Sequence, residues 1–96
     1  MARSIEKPLG EIIKEILHKH GLEEKLVETR IFSSWEKIMG QPIAVYTNKI
    51  VLKKSCLTVY LRSPALRNEL SFAKTKIINM INDEIGKPVI REIVFR

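Results

Sequence analysis

The sequence predicts an α+β domain, with a small three-stranded mixed sheet and helices packed mainly on one face. Three observations carry this. Apolar residues recur at helical spacing before Gly40 and again after Ser63. Between those stretches the period falls to two. A short β-branched run, Val89 to Phe95, then follows the Gly86/Pro88 break. The predicted order is α-α-β-β-α-β.

Ile5 to His20 reads as an amphipathic helix, because Leu9, Ile12, Ile13, Ile16 and Leu17 recur at three- and four-residue steps. Pro8 suits its first turn, and Gly21 can take the left-handed conformation that ends it. A second helix runs from about Leu22 to Met39, with Val27, Ile31, Trp35 and Ile38 as its buried stripe. Gly40 is its stop, with Pro42 just beyond. Glu23, Glu24 and Glu28 sit toward its N-terminus, the favourable end for negative charge. Trp35 is expected in the core, where its indole N–H needs an acceptor.

Lys49–Lys53 and Cys56–Leu61 are β-branched and aromatic-rich runs joined by Lys54-Ser55, the pattern of a hairpin. Leu57, Val59 and Leu61 share one face of the second strand; Cys56, Thr58 and Tyr60 share the other. Ser63-Pro64 starts a helix, a hydroxyl N-cap followed by proline at the first helical position. Leu66, Leu70, Ala73, Ile77 and Ile81 form its buried stripe, and the helix is expected to continue to Ile85. A strand, a crossover helix and a strand connect right-handedly, so Cys56–Leu61 and Val89–Phe95 should run parallel. Glu92 is expected to face away from the core.

The 96 residues suit one domain spanning 1–96, and 45% apolar content argues for a folded chain. No apolar run approaches the ~20 residues of a membrane span, and Met1 to Leu17 lacks a signal-peptide core. No membrane association is expected, and the expected location is the cytoplasm. Cys56, the single cysteine, has no internal disulfide partner and is expected to act as a small buried hydrophobe.

The net charge of +6 has one source. From Val45 to Asn82 stand Lys49, Lys53, Lys54, Arg62, Arg67, Lys74 and Lys76 against one acid, Glu69; the flanking segments are balanced. A confined cationic excess is the electrostatic footprint of a protein that meets a polyanion, although a solvated basic face has the same composition. Arg67, Ser71, Lys74 and Ile78 step by helical spacing along the edge of the buried stripe. The candidate nucleic-acid contacts are Lys49, Lys53, Lys54, Arg62, Arg67 and Lys74. Nearby serines, Asn68 and Asn79 can donate to phosphate without adding charge. Tyr60 and Phe72 fall outside the main apolar faces of their elements. Each is open to two readings, stacking on unpaired bases or packing against another layer or a partner.

Signals for catalysis are weak. His18 and His20 are two apart on a helix and so face away from each other; a role at the helix C-terminus or in solvent suits them. There is no Gly-rich phosphate loop, zinc-ligand spacing or nucleophile–base set. Adjacent acids such as Glu23-Glu24 and Asp83-Glu84 sit at helix ends, where solvent surrounds them. The expectation is a non-enzyme with no metal and no cofactor.

Trp35-x-x-Ile38-x-Gly40, Ile43-Ala44, Thr47, Leu57-x-Val59-x-Leu61, Leu66, Leu70 and Ile93-x-Phe95 together resemble the DciA-like family, many of whose members are catalogued as a bacterial domain of unknown function. These residues mostly define a fold, with Trp35, Ile38 and Gly40 as its structural motif. The resemblance implies a KH-like fold in α-α-β-β-α-β order. It further implies a bacterial replication protein that associates with the replicative helicase, assists its loading onto single-stranded DNA and contacts DNA itself. The chain lacks a Gly-x-x-Gly loop, so the nucleotide clamp of ordinary KH modules does not carry over. It reads as a short form that ends at Arg96 without the flexible tail of longer relatives.

The expected function is a non-catalytic, nucleic-acid-binding adaptor of DNA replication. Two alternatives stand beside it: a protein-interaction module whose basic surface meets an acidic partner, and an RNA- or ribosome-associated KH-like protein. Sequence leaves the oligomeric state open.

Overall fold

The structure is a computed structural model that describes residues 8–19 and 21–96, with the side chains of 16–19 left aside. Its elements are α1 (Leu9–Lys19), α2 (Leu22–Met39), α3 (Gln41–Val45), β1 (Thr47–Lys53), β2 (Cys56–Leu61), α4 (Pro64–Leu70), α5 (Lys74–Ile85) and β3 (Glu92–Phe95). The strands form one mixed sheet in the order β1-β2-β3, β1 antiparallel and β3 parallel to β2. The predicted α+β class, mixed sheet and parallel return strand are all present.

Alternation sorts the sheet into two faces. Ile50, Leu52, Leu57, Val59, Leu61 and Ile93 are buried beneath α2 and α5, whose Ile31, Trp35, Ile77, Ile81 and Ile85 complete the core. Lys49 pairs with Tyr60, Val51 with Thr58 and Lys53 with Cys56 on the opposite face. Glu92 extends that face from β3 and is exposed, as expected. Cys56 is only half-buried there, rather than a core residue.

Trp35 is 3% exposed, and its Nε1–H donates to Thr47 Oγ1 at 2.9 Å. The Thr47 hydroxyl in turn donates to the Ile43 carbonyl at 2.9 Å. This relay ties α2, α3 and β1 together and satisfies the buried indole. Gly40, between α2 and α3, has φ 89° and ψ 157°, a conformation in which a Cβ is strained.

Further expectations need correction. The last strand begins at Glu92 rather than Val89. The helix from Ser63 to Ile85 is two helices, broken at Ser71–Ala73 by the tighter bonds Phe72 N–H to Glu69 O and Ala73 N–H to Leu70 O. An unbroken helix there would be about 33 Å long, whereas the strands beneath it span about 20 Å. The turn lets Leu70 and Ile77 both reach the same core. Pro42 does more than follow the end of α2: it lies in the first turn of α3, an element not predicted. Leu9 and Ile13 of α1 are 71% and 47% exposed, so the expected stripe on that helix is not buried at those positions. Residues 5–7 and His20 of the predicted first helix lie outside the described residues, as does the His18 side chain.

Candidate nucleic-acid interface

Register and helix direction decide where the candidate cations go. The hairpin turn at Lys54-Ser55 marks one end of the sheet; the Thr47/Leu61 pair marks the other. Lys49 stands near the Thr47/Leu61 end, on the uncovered sheet face. Its Nζ lies 4.8 Å from the centroid of the Tyr60 ring. Arg62 leaves β2 at the same end, where its backbone N–H bonds Tyr46 O and its guanidinium donates to Val45 O and lies over the Tyr46 ring. Arg67, half-buried on α4, donates from Nη1 to Leu61 O at 3.2 Å.

Lys74 is placed by the direction of α5. Asn82 brackets Ile90 with two hydrogen bonds, and Arg91 N–H bonds Ser55 O at the hairpin. The C-terminus of α5 therefore lies toward the hairpin, and its N-terminus, with Lys74 and Lys76, lies about 18 Å away along the helix. Lys49, Arg62, Arg67 and Lys74 thus belong to the Thr47/Leu61 end, Lys49 on the uncovered face of the sheet and Lys74 on the helix-covered side. Lys76 and Arg96, which the sequence-based set omits, join them: Arg96 N–H bonds Val59 O, and its carbonyl accepts from Leu61 N–H.

Lys53 and Lys54 stand at the opposite, hairpin end. Lys53 lies about 13 Å from Lys49 along β1, and Lys54 follows it in the turn. Acidic residues share their surroundings. Lys54 N–H donates to Glu24 Oε2 at 2.7 Å, and Leu52 N–H donates to Glu28 Oε2 at 2.9 Å. These carboxylates of α2 occupy outward-facing donors of the β1 edge, which protects that edge from pairing with another strand. Burial disfavours the charged form of Glu28, but the Leu52 N–H and the Lys25 ammonium, 2.9 Å from Oε1, outweigh it and hold the carboxyl below its ordinary value of 4.5. The hairpin end is accordingly mixed in charge, and the cationic excess collects at the opposite end.

The two unassigned aromatics differ in setting. Tyr60 is half-buried on the uncovered sheet face under Lys49. Phe72 is 84% exposed at the turn between α4 and α5. Among the described residues no group of three His, Cys, Asp or Glu is arranged to hold a metal ion, and no helix is long and apolar enough to cross a membrane.

A comparison with protein families matches residues 8–95 to the family described as Dna[CI] antecedent, DciA. Among curated proteins, a UPF0232 protein of Mycobacterium leprae is 24% identical over 87 residues, covering 91% of this chain and 46% of the relative. A UPF0232 protein of Corynebacterium glutamicum is 24% identical over 85 residues, covering 88% of this chain and 48% of the relative. The chain spans about half the length of the curated relatives it matches. The matched region takes in Trp35, Ile38 and Gly40, the relay through Thr47, the hairpin and both arms of the strand–helix–strand unit. The chain belongs to the DciA family.

Proposed function

We propose that this chain is a non-catalytic adaptor of bacterial DNA replication that binds single-stranded DNA through the Thr47/Leu61 end of its sheet. The replicative helicase is its proposed protein partner, on the strength of family membership. The observation that carries the DNA-binding reading is the gathering of Lys49, Arg62, Arg67 and Lys74 at one end, while Lys53 and Lys54 stand among acids at the other. Cations grouped this way neutralise neighbouring phosphates and release their counterions. Arg62 and Arg67 are pre-oriented by carbonyl hydrogen bonds, and each guanidinium has further donors for a phosphate. No sequence-reading element accompanies them, so discrimination among base sequences should be slight.

The test is binding of a single-stranded DNA oligomer over a range of salt concentrations. Log K should fall linearly with log salt. Binding that is absent, or indifferent to salt, would favour a second reading as a protein-interaction module. That reading has its own observation: Leu9, Ile13, Leu22, Leu26 and Phe32 on α1 and α2 are all exposed. An RNA oligomer of matching sequence separates DNA from RNA binding; tighter binding to RNA would favour an RNA-associated role.

A further inference from the structure

Phe72 has no part in the core. It is the most exposed of the large apolar side chains described, at 84%. Exposure of a lone aromatic on a floppy loop would mean little, but this turn is held. Ser71 N–H bonds Arg67 O, Phe72 N–H bonds Glu69 O, Ala73 N–H bonds Leu70 O and Ile77 N–H bonds Ala73 O. The flanking Leu70 and Ile77 are anchored in the core. The ring is therefore presented on a fixed backbone.

Its surroundings specify an occupant. A shallow groove beside the ring is lined by Ser71, Lys74, Thr75, Lys76 and Asn79. The first turn of α5 carries no acid, and among the described residues no ion pair engages Lys74 or Lys76. An apolar ring beside unpaired ammonium groups, hydroxyls and an amide suits a ligand with a flat apolar face and an anionic backbone. Unpaired bases on a phosphodiester chain have both. A hydrophobic protein anchor would supply the first feature but leave the cations without a counterpart.

We propose that Phe72 is a base-stacking position, with Lys74 and Lys76 neutralising the adjoining phosphates and Asn79 and Ser71 available to hydrogen-bond the strand. This deepens the DNA-binding reading above and rests on it. Stacking on an aromatic ring tolerates every base, consistent with an interface that lacks sequence-reading groups.

The experiment compares an oligothymidylate with an abasic deoxyribose-phosphate oligomer of equal length and charge, at one salt concentration. Binding is measured for the wild-type chain and for Phe72→Ala, Phe72→Leu and Phe72→Trp. Wild type should prefer the base-bearing strand, and Phe72→Ala should lose that preference, weakening oligothymidylate binding by roughly 5- to 150-fold. Phe72→Leu should behave as Phe72→Ala, because an aliphatic side chain cannot stack. Phe72→Trp should keep the preference, and its exposed indole should be quenched by the oligothymidylate and not by the abasic strand. Trp35, 3% exposed, supplies a shielded internal reference. Because the ring lies outside the core, all four proteins should share one circular dichroism spectrum and melting temperature. If Phe72→Ala or Phe72→Leu keeps the wild-type preference, the stacking assignment is overturned while DNA binding stands. If no protein binds either strand, the DNA-binding reading fails with it.

Discussion

Glu28 offers a stability test whose sign and pH window both follow from its contacts. Its carboxylate accepts from Leu52 N–H on Oε2 and from Lys25 Nζ on Oε1, each at 2.9 Å. The Glu28 side chain is 15% exposed and Lys25 is 70% exposed, so the bond to the strand should dominate and the ion pair should add little. Glu28→Gln can keep an oxygen near Leu52 but removes the charge from the hydrogen bond. Because charge-assisted bonds contribute about twice as much as neutral ones, the loss should be roughly 1 kcal/mol. Glu28→Ala leaves the Leu52 N–H without its partner and should cost about 1–3 kcal/mol. In a domain of this size each kcal/mol should lower the melting temperature by about 4–8 °C. The folded-state pKa of Glu28 is depressed, so the charged form's stabilisation is fully present above its ordinary value of 4.5 and is lost as pH falls through the lower folded value. Urea unfolding at a series of pH values should show the gap between wild type and Glu28→Gln at its widest above pH ~4.5 and narrowing in more acidic solution. A gap that stays constant, or widens toward acid, would refute the assigned role of the carboxylate.

Other substitutions probe the core and the turns. Thr47→Val removes the acceptor of the Trp35 indole and should destabilise by about 1–3 kcal/mol; an unchanged urea midpoint would count against the relay. Leu70→Ala, at a position 9% exposed where α4 meets the core, should cost about 2–5 kcal/mol by leaving a cavity, measured by thermal melting. Lys54 and Ser55 have φ of 49° and 64°, left-handed values that favour Asn or Gly over these residues. Ser55→Gly should therefore raise stability by about 0.5–1 kcal/mol, and a lower melting temperature would show that the turn is not strained.

The parts of this fold that were legible in the sequence are those set by local periodicity. Alternation in Lys49–Lys53 and Cys56–Leu61 assigns the correct residues to each face, and the two residues between them define the hairpin. Trp35 falls on the stripe of α2, and its need for an acceptor is met by Thr47. The break at Ser71–Ala73 was not legible, because it contains neither glycine nor proline; it is visible only in the backbone bonds of the turn. Five-residue α3 is too short to show a period, and Pro42 signals a stop as readily as a start. The exposure of Leu9 and Ile13 reflects where α1 lies against α2, information that an amphipathic pattern does not contain.

The candidate site was legible as a list of cations but not as a place. Dividing Lys49, Arg62, Arg67 and Lys74 from Lys53 and Lys54 depends on strand register and the direction of α5. Lys76 was visible as charge, but its place on the groove with Phe72 depends on the turn that precedes α5. Glu24 and Glu28 read as favourable acids near a helix N-terminus; their bonds to the β1 edge require the tertiary fold. Phe72 was recognisable as a residue off the main stripe, but only the turn explains its full exposure.

One end of the sheet, rather than the whole basic segment, is proposed to meet the phosphates. The deciding measurement is the salt dependence of single-stranded DNA binding for two double variants matched in charge, Lys49→Gln/Lys74→Gln and Lys53→Gln/Lys54→Gln. All four lysines are exposed, so both proteins should fold as the wild type does. The first pair should weaken binding at every sequence and lower the salt slope by about two, one per lost phosphate contact. The second pair should leave the slope nearly unchanged. Equal losses from the two pairs, or a larger loss from Lys53 and Lys54, would overturn this placement of the phosphates.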